Sequence, residues 1–138
     1  RSTLDRSSAA SDVYKRQITG YERVFAINPH HPSWVKYMYA YALAENKDYE
    51  KAKVFCTKQL SKKHNWTGVE RTLYIVLAYI HKKQGEEKLA KEMFEMQRKK
   101  DSKGMSAQQI HKGFISKRDK TFLNDIIDTL KPFGMPDK

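Results

Sequence analysis

The residues best suited to metal or nucleophilic chemistry are five histidines and one cysteine. The histidines are His30, His31, His64, His81 and His111. None stands in a His-x-Glu or His-Glu-x-x-His pattern, and none pairs with Cys56 at ligand spacing, so no metal site is expected. His30 and His31 fall between Pro29 and Pro32, a setting that suits a solvated turn. His81 falls where paired helices need a packing residue. A nucleophilic Cys56 would need a basic neighbour to lower its pKa; its place among helix-packing positions argues for burial instead. The carboxylates mostly stand beside lysines, as from Glu45 to Lys51 and from Glu86 to Lys91, which is the pattern of solvated helix faces. There is no glycine-rich phosphate loop and no serine nucleophile elbow. Asn65-Trp66-Thr67 is formally a glycosylation sequon, which matters only in a secreted chain. No catalytic residue, cofactor or metal is expected.

Positive charge is the strongest remaining chemical signal. The chain of 138 residues carries 27 Lys and Arg against 16 Asp and Glu, a net charge of +11. Lys58, Lys62, Lys63, Lys82, Lys83, Arg98, Lys99 and Lys100 gather toward expected helix ends. Such a face could attract nucleic acid or an acidic surface through counterion release. Cations near helix C-termini also compensate the helix dipole, and that explains several of them. No RNA-binding aromatic motif or helix-turn-helix signature accompanies the charge, so nucleic acid is the second choice of partner. One cysteine cannot close an intrachain bridge, no apolar run is long enough to span a membrane, and no apolar signal core opens the chain. A cytoplasmic protein is expected.

These side chains must be positioned by helices alone. Apolar residues recur at helical spacing and strand-like alternation is absent. The pattern predicts helices over Tyr21 to Ile27, Ser33 to Glu45, Tyr49 to Lys62, Thr67 to Lys83, Glu86 to Lys99, Ala107 to Lys112 and Lys120 to Leu130. Asn28-Pro29 stops the first, and Pro32-Ser33 opens the second. Thr67 with Glu70 has capping-box spacing. Gly85 ends one helix; Asp119 caps the last, which Pro132 and Gly134 terminate.

The middle of the chain repeats itself. Placing Asp48 to Ala52 over Glu86 to Ala90 sets Ala40 on Ala78, Tyr39 on Leu77 and Cys56 on Phe94, a constant offset of 38. Small residues at Ala40, Ala52, Ala78 and Ala90 permit close helix approach, and Tyr39, Phe55, Leu77 and Phe94 fill the adjoining gaps. Tyr74-x2-Leu77-Ala78-x2-His81 followed by Ala90-x3-Phe94 resembles the tetratricopeptide repeat family, although the offset exceeds that family's 34. The resemblance covers residues 18–100: a partial repeat over 18–29, then repeats over 33–64 and 67–100. It implies an all-α, right-handed helical-repeat solenoid, with residues 101–138 forming a loop and a C-terminal capping helix.

Two further resemblances bear on organisation. The segment from Ile27 to Trp34 and the closing run Phe122 to Pro136, with Gly134-Met135-Pro136-Asp137 at its end, are similar to the C-terminal repeats of bacterial class III adenylate/guanylate cyclases and related transcriptional regulators. That likeness implies a regulatory C-terminal piece of a larger bacterial protein, with catalysis or DNA binding upstream. Residues 7–17, reading SSAASDVYKRQ, resemble a sequencing-library adapter translated in one frame, and Arg1-Ser2-Thr3 matches the adjoining adapter stretch. Residues 1–17 are therefore expected to be non-native, and a helical pattern that continues through Val13 to Gln17 would carry no functional meaning.

The repeat resemblance implies a ligand surface on the first helix of each pair. It would present Trp34, Tyr37, Tyr41 and Glu45 from one unit, and Ile75, Tyr79, Lys82 and Lys83 from the next. Aromatic side chains beside lysines suit an acidic or amphipathic segment of a protein partner, or of an upstream domain of the same protein. The expected function is protein–protein interaction or regulation without catalysis; the alternative is a basic helical-repeat domain that binds nucleic acid or an acidic surface.

Overall fold

The computed structural model describes residues 2–27, 33–62, 67–100, 106–112 and 120–137, with side chains described at 15–27, 35–62, 70–99, 106–110 and 120–137. All regular structure among these residues is helical: α1 (Ser2–Ile27), α2 (Ser33–Glu45), α3 (Tyr49–Leu60), α4 (Thr67–Lys83), α5 (Glu87–Lys100), α6 (Ala107–Lys112), α7 (Lys120–Leu130) and a 3-10 turn at Lys131–Phe133. Helix α2, α4, α6 and α7 run between the residues expected from the sequence. Helix α3 stops two residues early, in a turn where the Lys62 N–H donates to the Gln59 carbonyl. The first helix differs most, since it begins at Ser2 and not at Tyr21. No Gly or Pro interrupts residues 2–19, so backbone propensity continues the helix upstream. Among its described side chains, buried Ile18 and the partly buried Tyr21 and Phe25 join the body.

Helix α4 is the centre of the fold. It packs against α2, α3, α5 and α7. Every residue from Leu73 to Ile80 except Tyr74 is buried, so nearly its whole circumference is covered. A helix that is apolar on all sides is stable only when enclosed. The four alanines at the repeat positions, Ala40, Ala52, Ala78 and Ala90, are all fully buried, as close helix approach requires. Cys56 and Phe94 hold equivalent positions and are likewise fully buried.

The two helix pairs share one turn geometry at the same offset of 38. After α2, the Asp48 N–H donates to the Leu43 carbonyl and the Lys47 N–H to the Ala44 carbonyl. After α4, the Glu86 N–H donates to His81 and the Gly85 N–H to Lys82. Each is a Schellman ending, which satisfies orphan carbonyls and needs a left-handed residue at the turn. Gly85 takes that conformation at φ +78°, while Lys47 takes it at φ +63° with a side chain.

The C-terminal end closes on itself. Ser106 and Gln109 form a reciprocal capping box: the Ser106 N–H donates to Gln109 Oε1 at 2.8 Å, and the Gln109 N–H to Ser106 Oγ at 3.2 Å. The next two free donors of α6, at Ala107 and Gln108, reach the carbonyls of Pro136 and Asp137. Gly134, at φ +102°, turns the chain so that this tail returns, and buried Met135 anchors it. The expected caps at Thr67 and Asp119 lie outside the described side chains.

The shared turn generates opposite expectations for its two residues. Lys47→Gly relieves a left-handed side-chain residue and should stabilise the chain by about 0.5–1 kcal/mol. Gly85→Ala meets no atom within 4 Å, so its cost of about 1–2 kcal/mol is purely backbone strain. Urea unfolding of both variants tests the pair; shifts of the same sign would contradict a common turn geometry.

Candidate functional site

A cleft beside the expected ligand surface lies between α7 and the C-terminal ends of α2 and α4. Its volume is about 720 Å³, and Glu45, Lys47, Tyr49, Tyr79, Lys83 and Phe122 line it together with Thr121, Asn124, Asp125 and Asp128. Helix α7 brings two faces to this place. Phe122, Leu123, Ile126, Ile127 and Leu130 are buried against the body. Thr121, Asn124, Asp125 and Asp128, at spacings of three and four, form the adjoining polar face.

Asp125 ties α7 to α4. Tyr79 Oη donates to Asp125 Oδ2 at 2.6 Å, and Lys83 Nζ donates to Oδ1 at 2.7 Å. The Lys83 ammonium also lies 5.6 Å from the Tyr79 ring centroid, and Phe122 meets that ring edge-on at 5.8 Å. Burial pushes the Asp125 carboxyl up, but the hydrogen bonds from Lys83 and Tyr79 and the nearby ammonium charge outweigh it and hold it below the usual range. Burial first, and the Asp125 carboxylate second, push the Tyr79 hydroxyl up.

A matching clasp holds α1 at the other end. Tyr39 Oη donates to Glu22 Oε2 at 2.7 Å, and Lys51 Nζ lies 2.6 Å from the same oxygen. The hydrogen bonds from Lys51 and then Tyr39 hold the Glu22 carboxyl low. Around it, Tyr39 meets Phe25 at 5.1 Å and Phe55 at 4.7 Å, both edge-on.

Of the residues expected to face a partner, the structure places Glu45 and Lys83 at the cleft, with Tyr79 at its floor and, at 3% exposed, part of the core. It places Tyr37, Tyr41 and Ile75 elsewhere: they are 4%, 1% and 0% exposed and belong to the core. Tyr41 has Arg71 of α4, Tyr37 and Cys56 of α3 as its polar surroundings, so the face assigned to a partner is covered by neighbouring helices. Lys82 points away from the cleft, pairing with Glu87 at 2.5 Å and lying 5.6 Å over the Phe133 ring. The side chain of Trp34 lies outside the described residues. Sequence reasoning missed Lys47, Tyr49 and the polar face of α7; the spacing of Thr121, Asn124, Asp125 and Asp128 was the available signal.

The other chemical candidates resolve into packing and pairing. Burial pushes the Cys56 thiol up, which suppresses the thiolate a nucleophile needs. His81 Nδ1 lies 3.2 Å from Glu86 Oε1 across the turn between α4 and α5. His30, His31, His64 and the sequon asparagine Asn65 lie outside the described residues, as does the side chain of His111. Among the described residues no group of His, Cys, Asp and Glu could hold a metal ion, and no helix is long and apolar enough to cross a membrane. Within the basic cluster, Lys82, Lys83 and Arg98 each have a carboxylate partner. Lys58, Lys62 and Lys99 are exposed, and Lys63 and the Lys100 side chain are not described.

Comparison of the chain with family models, with curated proteins and with solved structures finds no match.

Both clasp carboxyls are held below their ordinary values, so their contribution is complete at neutral pH and is lost as pH falls through the folded-state pKa. Asp125→Asn should therefore lower the melting temperature at neutral pH. The gap from the parent chain should begin to narrow as pH falls through the ordinary aspartate range near about 4 and close once the folded carboxylate, held lower still, is protonated. Thermal melts across an acid series test this; a gap that stays constant to about pH 3 contradicts the clasp.

Proposed function

We propose that this chain is a non-catalytic helical-repeat interaction module of tetratricopeptide type, and that it docks a partner segment in the cleft between α2, α4 and α7. The observation that carries this reading is the repeated helix pair. The Schellman ends of α2 and α4 recur at one offset, with the same small residues buried at the same positions. Stacked pairs of this kind present the ends of their first helices side by side, and a right-handed solenoid is the arrangement that extends them. In this reading α7 stands against α4 as a third first helix, covering apolar surface while its polar face lines the cleft.

The resemblance to cyclase-associated repeats extends the proposal. The docked segment would belong to a partner protein or to another domain of the same bacterial protein, and docking would regulate that domain. The cleft volume lies within the range of about 300–1,000 Å³ typical of pockets that enclose a ligand. Selection from a displayed library of random peptides tests the reading. It should enrich a family whose binding is lost when exposed Asn124 becomes Trp, with helicity by circular dichroism unchanged. Recovery only of peptides indifferent to Asn124→Trp would overturn it.

A second reading, binding of nucleic acid or an acidic surface, is favoured by the outer face of α5. There Lys88, Lys91 and Lys99 border a groove of about 650 Å³ that also includes Tyr74, Met93 and Met96, with Glu92 and Glu95 offsetting part of the charge. It leads to a salt-sensitive gel shift with generic single-stranded DNA, abolished by Lys88→Glu with Lys91→Glu. A shift that survives both substitutions would remove this face from consideration.

A further inference from the structure

We infer that the groove on the outer side of α4 and α5 docks an acidic amphipathic helix: a protein segment of about three turns whose apolar stripe is flanked by Asp or Glu. The inference rests on the second reading above, that this face takes acidic matter, and it names a protein segment in place of nucleic acid. It does not involve the α2–α4–α7 cleft.

The first ground is an apolar stripe partly open to solvent. Tyr74 of α4 and Met93 and Met96 of α5 are half-buried and line the groove. Leu89 stands one turn before Met93 and is 40% exposed. Leu89, Met93 and Met96 fall at i, i+4 and i+7, so they form one stripe along α5. Unbranched methionines adapt to whatever side chains they meet. A helix laid in such a groove anchors through its own apolar residues at the same spacing.

The second is charge along the rim. Lys88, Lys91 and Lys99 are exposed and have no ion-pair partner among the described residues. Against them stand Glu92, likewise unpaired among the described residues, and Glu95, which lies 3.9 Å from Arg98. The rim therefore keeps an excess of cations after its carboxylates are counted. Lys88 and Lys99 lie on one line of α5, three turns or about 16 Å apart. Carboxylates at both ends of a docked helix of that length would each meet a lysine.

The third separates a protein segment from nucleic acid. Phosphates form an unbroken run of negative charge, which would set them against Glu92 and Glu95 and over the methionines. A peptide places its carboxylates singly, opposite the lysines, and lays apolar side chains on the stripe. Among the described residues Tyr74 is the only aromatic ring lining the groove, whereas strand binding relies on successive bases stacked on rings.

Fluorescence anisotropy on the intact chain tests this with three labelled probes. One is a peptide of about 12 residues with Leu at helical spacing and Glu beside it; the others are the same residues in scrambled order, and oligothymidylate. The patterned peptide should bind about tenfold more tightly than the scrambled one, and more weakly as salt rises. Lys88→Glu with Lys91→Glu should weaken it about tenfold, and Leu89→Glu or Met96→Glu should do the same. Circular dichroism checks that the variants keep their helicity. Asn124→Trp, in the other cleft, should leave binding unchanged. Equal binding of the scrambled peptide, no binding of the patterned one, affinity indifferent to Leu89→Glu and Met96→Glu, or loss of binding on Asn124→Trp overturns the inference. If oligothymidylate alone binds and Lys88→Glu with Lys91→Glu abolishes it, the face remains a polyanion site and only the protein assignment falls. If no probe responds to that pair, the second reading falls as well.

Discussion

Enclosure of α4 is the constraint on which the described fold depends. From Leu73 to Ile80 only Tyr74 escapes full burial, and a helix so apolar gains nothing from a water-facing side. It needs neighbours in several directions, and α2, α3, α5 and α7 supply them. Full burial of a Leu, Ile or Phe side chain contributes about 1.5–3 kcal/mol, so the cluster around α4 outweighs any single polar contact in the molecule. Alanine stands at the repeat positions of α2, α3, α4 and α5, where it permits close approach of the paired helices. The cleft follows from the same packing: α2 and α7 both reach α4, and the space beyond their contacts with it stays open near its C-terminal end.

The outer helices are held by a second device, used twice. A carboxylate on the outer helix accepts a hydrogen bond from a tyrosine hydroxyl and pairs with a lysine: Glu22 with Tyr39 and Lys51, Asp125 with Tyr79 and Lys83. In each case the tyrosine ring packs in the apolar cluster while its hydroxyl faces the polar edge, which suits a side chain with one wet end. The second clasp also shapes the cleft, since it pairs one of the lining carboxylates with one of the lining lysines.

Charge in this protein is therefore a matter of placement and not of total. Carboxylates pair with lysines across turns and between neighbouring helices, as at Lys53 with Glu50 and Glu86, and at Lys131 with Asp137, and the net +11 is carried by the basic residues that remain. Exposed cations stand on several elements, among them Lys15, Arg16 and Arg23 of α1, Lys58 and Lys62 at the end of α3, and Lys88, Lys91 and Lys99 of α5.

How much of this was legible in the sequence depends on what kind of information each feature needs. Helix positions were legible, because period, caps and turn residues are local: α2, α4, α6 and α7 fall where the pattern puts them, and Ala52 and Ala90 already mark the repeat. The start of α1 was not, because nothing local stops a helix there. The Ser106–Gln109 capping box was written in the sequence and only the structure drew attention to it. The partner surface was the least legible part. Periodicity tells that α2 and α4 are apolar on several faces, but not which neighbour covers which face, so Tyr37, Tyr41 and Ile75 read as ligand positions and are core. Lys82 and Lys83 are adjacent in sequence and point about 100° apart around a helix of 3.6 residues per turn, so one reaches Glu87 and the other Asp125. The sequence by itself determined an all-helical chain with a repeated pair, because those properties follow from spacing. Only tertiary packing decided which charges meet, because Asp125 lies 42 residues from Lys83 and no local rule connects them.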